Sequence, residues 1–346
     1  MRGEIVNVEL VDGDAFTDKW NAFVGQVQSG TYVHRYEWKA ILENSYSLKT
    51  FYCMVKVDDK IVGIFPAVAC PSFTGLSTKL VSLGFCNYGD ILASDYLAVS
   101  RARDLAIKYL HSLGCKSVEV RSAEGAPSDS ETVTMVRQID QPLDAIWNSL
   151  TSSCRRKVRK AKKNGLTVSW GRGYVHDFYN IYSHNVGQLG TPTHGRVFFE
   201  QIMTQFREDA EILVVKLDGE VIGAMLIIRH CGIWAAPFIA SIPEFNYLYT
   251  NMLLYWEAIS AAARAGCRSL DFGRSKRGTG VYRFKSQWGC TPQPLQYRVF
   301  RECGSGGNTS LDFHESMLAS GSAFIWCRLP LFIQRRLGPL IRKQLP

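Results

Sequence analysis

A polar, glycine-rich run at residues 271–289, DFGRSKRGTGVYRFKSQWG, contains the residue types best suited to chemistry in this sequence. Residues 269–272 have the pattern of a strand, and the glycines that follow allow the backbone to approach a ligand closely. Backbone N–H groups and cations beside a strand end favour an anionic ligand. A solvated turn has the same composition, so both interpretations stand. The candidate binding residues in this part of the run are Arg274, Ser275 and Lys276.

Lys285 is the residue of this run that is hardest to explain as filler. It stands among the bulky residues Tyr282, Phe284 and Trp288. A lysine in such surroundings either extends its ammonium group to solvent or is held in place for a purpose. The local pattern alone favours neither.

The elements that position this run belong to the second of two similar halves. Residues 51–69 (FYCMVKVDDKIVGIFPAVA) match residues 211–229 (EILVVKLDGEVIGAMLIIR), and GCKSVE at 114–119 recurs as GCRSLD at 266–271. The offset is 160 residues at the first match and 152 at the second. The first match predicts an antiparallel hairpin in each half. A duplicated α+β domain follows, and its second copy carries the polar run.

This repeat predicts four segments: a first domain at 1–140, a basic helical connection at 141–165, a second domain at 166–302 and a tail at 303–346. A strand at 133–139 is expected to end the first domain, and a strand at 295–300 to end the second. The order of helices, hairpin, strand, helix and strands in each half matches the GNAT acyltransferase fold.

Composition excludes several classes of protein. The chain has 346 residues, 46% of them hydrophobic, which is enough for two domains of ~150 residues. Its ten cysteines lack CxxC spacing and a His/Cys pattern, and no secretory segment precedes them, so neither a metal site nor a disulfide framework is indicated. We expect reduced cysteines and a cytoplasmic protein. The formal net charge is +9, and its uneven distribution is informative.

One basic segment, CRRKVRKAKKNG, lies at 154–165, where seven of the nine residues from Arg155 to Lys163 are Lys or Arg. Cys154, Val158 and Ala161 recur at helical spacing and predict a helix with one narrow buried stripe. The outward cations fit either a solvated linker helix or a contact with the phosphates of RNA, of a nucleotide-linked substrate or of lipid head groups.

The tail at 323–346 is also basic. Its apolar run is interrupted and far shorter than the ~20 residues needed to span a bilayer. Aromatic and aliphatic residues interleaved with arginine fit an interfacial segment on an anionic membrane surface. A terminal helix packed on the protein's own core is the alternative.

Four motifs in a fixed order resemble the FemAB-like transferases, most nearly the branch associated with exosortase and exopolysaccharide genes. They are RRKVRKAKKNGL at 155–166, LGTPTH at 189–194, ASIPEFNYLYTNMLLYWEAI at 240–259 and DFGRSKRGTGVYRFKSQWGCTPQPLQY at 271–297. In the first half GFCNYGD at 84–90 is the main landmark. The resemblance implies tandem GNAT domains and transfer of an acyl group, in the best understood members an amino acid moved from aminoacyl-tRNA to an amine of a peptidoglycan precursor.

The resemblance also implies roles for residues. Lys285 matches a family lysine implicated in binding the terminal phosphate of the donor and the developing oxyanion. The further donor-binding candidates are Tyr282, Trp288, Asn251 and Tyr247. The acceptor- or phosphate-binding candidates are Arg155, Arg156, Lys157, Arg159, Asn87 and Tyr88.

The donor is expected to be aminoacyl-tRNA, with acyl-CoA or another thioester as the alternative, and no bound cofactor is expected. Acetyl-CoA-dependent GNAT enzymes bind pyrophosphate at a glycine-rich helix N-terminus, whereas residues 242–253 contain no glycine. The acceptor is expected to be an amine of an envelope precursor or small molecule.

The proton of the amine has several possible destinations. Asp271 and His194 are the candidate bases, and each also fits a structural role. A pre-positioned free amine, or a phosphate of the donor, would make a protein base unnecessary. No Ser/His/Asp or Cys/His pattern indicates a covalent intermediate. The competing class of protein is a non-catalytic binding module on the inner face of the membrane.

Overall fold

Two mixed β-sheets with helices packed against them form the computed structural model, which describes residues 6–72, 78–94, 98–123, 125–302, 304–308 and 322–345. The first compact unit contains the described residues of Met1–Ser128, Leu295–Ser316 and Leu340–Pro346. The second contains those of Asp129–Pro294 and Met317–Pro339.

The strands are β1 (Val6–Val11), β2 (Thr50–Val57), β3 (Lys60–Pro71), β4 (Thr78–Ser82), β5 (Leu92–Ala93), β6 (Ser117–Ser122), β7 (Thr132–Gln138), β8 (Thr167–Gly171), β9 (Ala210–Leu217), β10 (Glu220–His230), β11 (Ile233–Ser241), β12 (Ser269–Lys276), β13 (Thr291–Pro294), β14 (Gln296–Arg301) and β15 (Gly304–Asn308). The α-helices are α1 (Thr17–Gln26), α2 (Glu37–Tyr46), α3 (Val99–Ser112), α4 (Leu143–Ser149), α5 (Ser152–Lys163), α6 (Val175–Gln188), α7 (Arg196–Phe206), α8 (Thr250–Arg264), α9 (Gly280–Ser286), α10 (Ser322–Trp326) and α11 (Leu331–Arg342).

Both predicted hairpins are present, as β2–β3 and β9–β10. Their turns are Asp58-Asp59 and Asp218-Gly219, and all four residues have positive φ, between 47° and 90°. Two-residue turns with positive φ at both positions match the twist of the flanking strands, which is why Asp and Gly are favoured there. The duplicated GNAT fold expected from the repeat is confirmed at its central element.

The sheet orders are β1-β2-β3-β4-β6-β14-β15, with β5 beside β3, and β13-β7-β12-β11-β10-β9-β8. Each sheet has one parallel pair, β4–β6 in the first and β11–β12 in the second. The next strand in each sheet comes from the other half of the chain: β14 pairs with β6, and β7 pairs with β12.

This exchange of strands differs from the expected domain limits. The strand expected to end the first domain lies in the second sheet, and the strand expected to end the second lies in the first. Alternation of apolar residues identifies a strand but not its partner. Nine residues separate β6 from β7, enough chain to reach ~30 Å when extended, so β7 is not confined to the sheet that precedes it.

The segment expected to connect two domains is part of the core of the second unit. Cys154, Val158 and Ala161 on α5 are buried in one hydrophobic cluster with Leu253 and Ile259 of α8. The predicted apolar stripe is thereby confirmed. Thr151 caps the helix, since its hydroxyl accepts a hydrogen bond from the backbone N–H of Cys154 at 3.2 Å.

Candidate active site

A β-bulge in β12 is the centre of the polar run. Asp271 lies opposite Val136 of β7 and Arg274 lies opposite Thr134, so the β12 side has one residue more than its partner. Gly273 has a φ of 75°, a conformation that glycine adopts without steric cost. The bulge turns the carbonyl groups of two successive residues toward helix α9.

Hydrogen bonds of Asp271 stabilise this bulge. Its Oδ1 accepts hydrogen bonds from the hydroxyl of Thr134 at 2.6 Å and from the backbone N–H of Gly273 at 2.7 Å. The side chain is buried. Thr134 was not a candidate from the sequence, because the sequence pattern of a strand does not show which of its threonines binds a functional side chain.

Lys285 reaches the same bulge from α9. Its Nζ donates to the carbonyl oxygens of Gly273 and Arg274, both at 3.0 Å, and the residue is 5% exposed. Burial lowers the pKa of Lys285 to about 8, and the nearby carboxylate of Asp271 opposes the shift. The ammonium group is therefore held inside the protein and does not extend to solvent.

Local sequence explains how α9 presents this lysine. The hydroxyl of Thr279 accepts from the backbone N–H of Tyr282 at 3.2 Å and caps the helix. Phe284 and Trp288 pack against Tyr255 of α8, with ring centroids 5.0 and 5.8 Å away. This packing fixes the rotation of α9.

Trp288 differs from its expected role in binding the donor. It is fully buried and belongs to the hydrophobic core of the second unit. Its spacing of four residues from Phe284 is that of a helix face in contact with the core. The aromatic residue serves as an anchor for α9.

The other residues of the run lie at different depths. Ser275 is buried, Arg274 is half-buried and Lys276 is exposed. The Nζ of Lys276 lies 3.1 Å from a carboxylate oxygen of Glu131, an ion pair on the surface. Tyr282 is partly buried against the core.

Strand β11 separates from β12 beside this bulge. The two strands pair only from Ile233 to Ala235, whereas β11 stays paired with β10 up to Ser241, across one register shift. From Ala236 onward, the edge of β11 that faced β12 has no ladder partner among the described residues. The second sheet therefore opens next to Lys285.

A polar cluster lies at the end of β11. The hydroxyl of Ser241 donates to Asn246 at 3.2 Å and accepts from the amide of Asn251 at 3.0 Å. Asn185 donates to the carbonyl of Ser241 at 3.2 Å. A 3₁₀-helix, Pro243–Leu248, connects β11 to α8 and holds Tyr247, which is 69% exposed.

His194 lies outside this site. It is fully buried and stacks on Phe198 at 4.3 Å, with Tyr182, Phe199 and Phe238 around it. A histidine enclosed by aromatic rings has no solvent-facing nitrogen with which to take a proton from a substrate. The sequence could not distinguish this packing role, because the LGTPTH stretch has no periodic pattern.

The basic face of α5 is partly occupied by contacts within the protein. Arg159 lies over Trp147 at 5.3 Å and Lys160 over Tyr249 at 5.4 Å. Lys162 pairs with Glu257 at 2.7 Å, and Arg155 donates to the carbonyl of Asn148 at 3.3 Å. Arg156 is exposed and Lys157 is half-buried.

Asn87 and Tyr88 belong to the first unit and are half-buried. The hydroxyl of Tyr297 donates to the carbonyl of Asn87 at 2.6 Å. Beneath this loop lies a buried ionic network that the sequence did not reveal. Arg121 donates to Glu119 at 2.9 and 3.0 Å and to the carbonyl of Cys86 at 3.2 Å.

Comparison with known proteins agrees with this architecture. Residues 148–286, which include Lys285, match the family model described as an acetyltransferase (GNAT) domain. A sequence search among curated proteins finds no match. The crystal structure of FemX has a similar fold, with 16% sequence identity, a TM-score of 0.65 and coverage of 90% of this chain and 99% of that chain.

Two further solved structures are similar over most of their length. L-PGS from Bacillus licheniformis is 13% identical with a TM-score of 0.54, and the alignment covers 88% of this chain and 96% of that chain. A tandem GNAT protein from the clavulanic acid biosynthesis pathway is 10% identical with a TM-score of 0.51, covering 88% and 100%. The chain thus has a tandem duplicated GNAT fold whose second copy carries the matched acetyltransferase domain.

Proposed function

We propose that this protein is an aminoacyltransferase that moves an aminoacyl group from aminoacyl-tRNA to an amine of an envelope precursor or a small molecule. The observation that carries the proposal is the buried ammonium group of Lys285, held at the bulge of β12 where β11 and β12 separate. Two N–H groups of this ammonium bind backbone carbonyls. The third is the donor that we assign to the substrate.

The reaction needs a stabilised oxyanion. The amine of the acceptor attacks the ester carbonyl of the donor, a C–N bond forms, and the C–O bond to the terminal ribose breaks. Between these steps the carbonyl oxygen carries a negative charge, which the third N–H of Lys285 would stabilise by donating a hydrogen bond. One pre-oriented donor of this kind accounts for ~10²–10³ in rate.

Asp271 is a poor candidate for the general base. Its carboxylate already accepts from Thr134 and Gly273, and the side chain is buried. We therefore assign it to positioning the bulge. In this scheme the amine binds in its neutral form, and its proton passes to the leaving oxygen of the ribose or to a phosphate of the donor.

Two features favour a tRNA donor over CoA. The junction between β11 and α8 is a 3₁₀-helix without glycine, Pro243–Leu248, in place of a glycine-rich phosphate loop. The exposed cations of α5 offer a surface to a polyanion. The resemblance to the exosortase-associated branch supports an acceptor in envelope or exopolysaccharide synthesis.

Transfer from acyl-CoA or another thioester is the second candidate. The feature that favours it is the open edge of β11 from Ala236 to Ser241, where an extended donor arm with amide groups would find ladder partners. A Saccharomyces cerevisiae N-myristoyltransferase solved with bound myristoyl-CoA has a similar fold, with a TM-score of 0.51 and 11% identity.

The test offers both donors to the purified protein. Charged tRNA and acyl-CoA are supplied separately with a panel of amine acceptors, and the mass of each acceptor is measured. We expect a mass gain of one aminoacyl residue with charged tRNA, abolished by ribonuclease and absent with Lys285→Ala. A gain with acyl-CoA alone supports the second candidate, and no transfer with either donor supports the non-catalytic module.

A matched variant examines the basic face of α5. We expect Arg156→Gln with Arg159→Gln to raise the KM for charged tRNA and to flatten its salt dependence by roughly one unit of log–log slope per lost contact. The KM for acyl-CoA serves as the control. Unchanged kinetics with charged tRNA would mean that neither cation contacts the donor.

A further inference from the structure

The two C-terminal helices present one face to the protein and another to solvent. On the inner face, Gln334 lies against Gly187 of α6, with no room between them for a Cβ on the glycine. A Cβ on Gly338 would lie 2.9 Å from the side chain of Thr193. Gln334 also donates to the carbonyls of Trp326 and Leu329, at 2.8 and 3.0 Å, which fixes α10 relative to α11.

Arg335 reinforces this docking. Its Nε donates to the hydroxyl of Ser183 at 3.0 Å, and its guanidinium group lies over the ring of Tyr179 at 5.5 Å. The alternative of a terminal helix packed on the protein's own core therefore describes the inner face of α11. It leaves the outer face unexplained.

That outer face exposes large apolar side chains. Five of the eleven large hydrophobic residues that are exposed in the described part of the chain lie between positions 324 and 340. They are Phe324 (62% exposed), Ile325 (64%), Phe332 (70%), Leu337 (41%) and Leu340 (62%). A concentration of this kind marks a surface that binds something apolar.

Cations are interleaved with these residues. Arg328 and Arg336 are exposed, and residues 322–345 contain no Asp or Glu. Phe332, Arg336 and Leu340 are four residues apart, so they lie along the same side of α11. The outer face of α10 and α11 is thus both apolar and positive.

We propose that the outer face of α10 and α11 binds the surface of a bilayer that contains anionic lipid. Apolar side chains interleaved with arginine, in a segment (322–345) without Asp or Glu, match a surface that carries anionic phosphate groups above an apolar layer. A bilayer surface accepts both, because the apolar side chains enter the acyl boundary while arginine reaches the phosphate groups.

The same helices are too short to cross a membrane. Helix α11 has 12 residues, which gives it a length of ~18 Å against the ~30 Å of a hydrocarbon core. In the described ranges, no helix combines the length and the hydropathy that a membrane span requires. The geometry fits helices that lie in the plane of the interface.

The experiment measures sedimentation of the full chain with vesicles of phosphatidylcholine alone and of phosphatidylcholine with phosphatidylglycerol. We expect binding to the anionic vesicles to be about tenfold or more tighter and to weaken with salt. Phe332→Ser with Leu340→Ser should reduce this binding about tenfold or more. Arg328→Gln with Arg336→Gln should do so at low salt.

Matched controls come from α3. Arg101→Gln with Lys108→Gln removes two exposed cations from another helix of the chain and should leave vesicle binding within about twofold. Because all these side chains are exposed, melting temperatures should match the parent protein. The proposal is overturned if no vesicle is bound, or if the α3 and α11 variants lose binding equally. Self-association without lipid that Phe332→Ser with Leu340→Ser abolishes would identify a second copy as the occupant instead.

Discussion

Glu119 in the first unit and Asp271 in the second occupy equivalent positions and meet different cations. The offset of 152 residues that relates the two halves relates these acids too, and each is the last residue of its sheet's parallel pairing, Glu119 with Val81 and Asp271 with Ala235. Glu119 binds Arg121 of its own strand. Asp271 lies beside Lys285, which comes from a separate helix.

The residue two positions further along accounts for the difference. In the first unit this residue is Arg121, and β6 pairs with β14 from Ser117 to Ser122 without a break in register. Its guanidinium group also contacts the ring of Tyr297, 5.0 Å from the centroid. In the second unit the equivalent residue is Gly273, and β12 bulges there.

The strands that pair in parallel with β6 and β12, namely β4 and β11, also end differently. Strand β4 ends at Ser82, one residue after its last pair with β6, and the chain turns over Arg121, which binds the carbonyl of Cys86. Strand β11 continues for six residues beyond its last pair with β12. In the first unit, Arg121 thus occupies this position and binds the neighbouring loop. In the second unit, Gly273 occupies it, and its carbonyl binds the buried ammonium group of Lys285.

The largest effect that we expect is on stability, from Arg121→Met. Burial alone would raise the pKa of Glu119, and Arg121 and Lys79 instead lower it, so the carboxylate is ionised and depends on these cations. Removing a buried partner costs about 3–5 kcal/mol in the free energy of unfolding. Denaturant titration measures this loss. Lys79→Met, at the exposed end of the network, is the control and should cost less than about 1 kcal/mol. Equal losses would mean that Arg121 is no anchor.

The second prediction concerns Lys285→Ala, which should lower turnover by about 10²-fold or more because one oxyanion donor is lost. Two carbonyl groups also lose a donor, so a drop of about 1–3 kcal/mol in the free energy of unfolding is expected, with the fold retained. Circular dichroism and single-turnover kinetics separate the two effects. Near-normal turnover would show that both copies use this position only for structure.

The pH dependence sharpens the assignment of Lys285. If the charged ammonium is the active form, turnover is constant below the pKa of about 8 and falls about tenfold per pH unit above it. A rise in turnover through the same range would instead make the neutral amine a base. The profile is measured with donor and acceptor both saturating, so that ionisation of the free acceptor amine does not contribute to it.

The smallest effects are expected at the rim of the site. Arg274→Gln and Lys276→Gln should each raise the KM for the donor about three- to tenfold with kcat unchanged, because they bind ground state and transition state alike. Arg298→Gln, an exposed arginine of β14, is the control. A change in kcat with constant KM would place Arg274 in the chemistry.

The sequence predicted the hairpins and the buried stripe of α5, because each leaves a local pattern. The local pattern around Lys285 left its position open, and the fold places its ammonium group in the interior. The sequence did not predict the exchange of β7 and β14, since pairing depends on residues more than a hundred positions away. The sequence left the packing role of His194 as one of two alternatives and missed that of Trp288, for a related reason. The sequence does not show whether a polar or aromatic side chain lies in a core or in a cleft, because this depends on tertiary packing.

The exchange of strands has a consequence for synthesis on the ribosome. Strand β6 pairs with β14 through Val118 and Phe300, residues 182 positions apart, and β7 pairs with β12 through Val136 and Asp271. Until residue 301 has left the exit tunnel, β6 has an unpaired edge, which is a site for wrong pairing between chains. The first sheet therefore cannot be completed until β14 has been synthesised. A pause in translation before β14 should increase aggregation of the nascent chain.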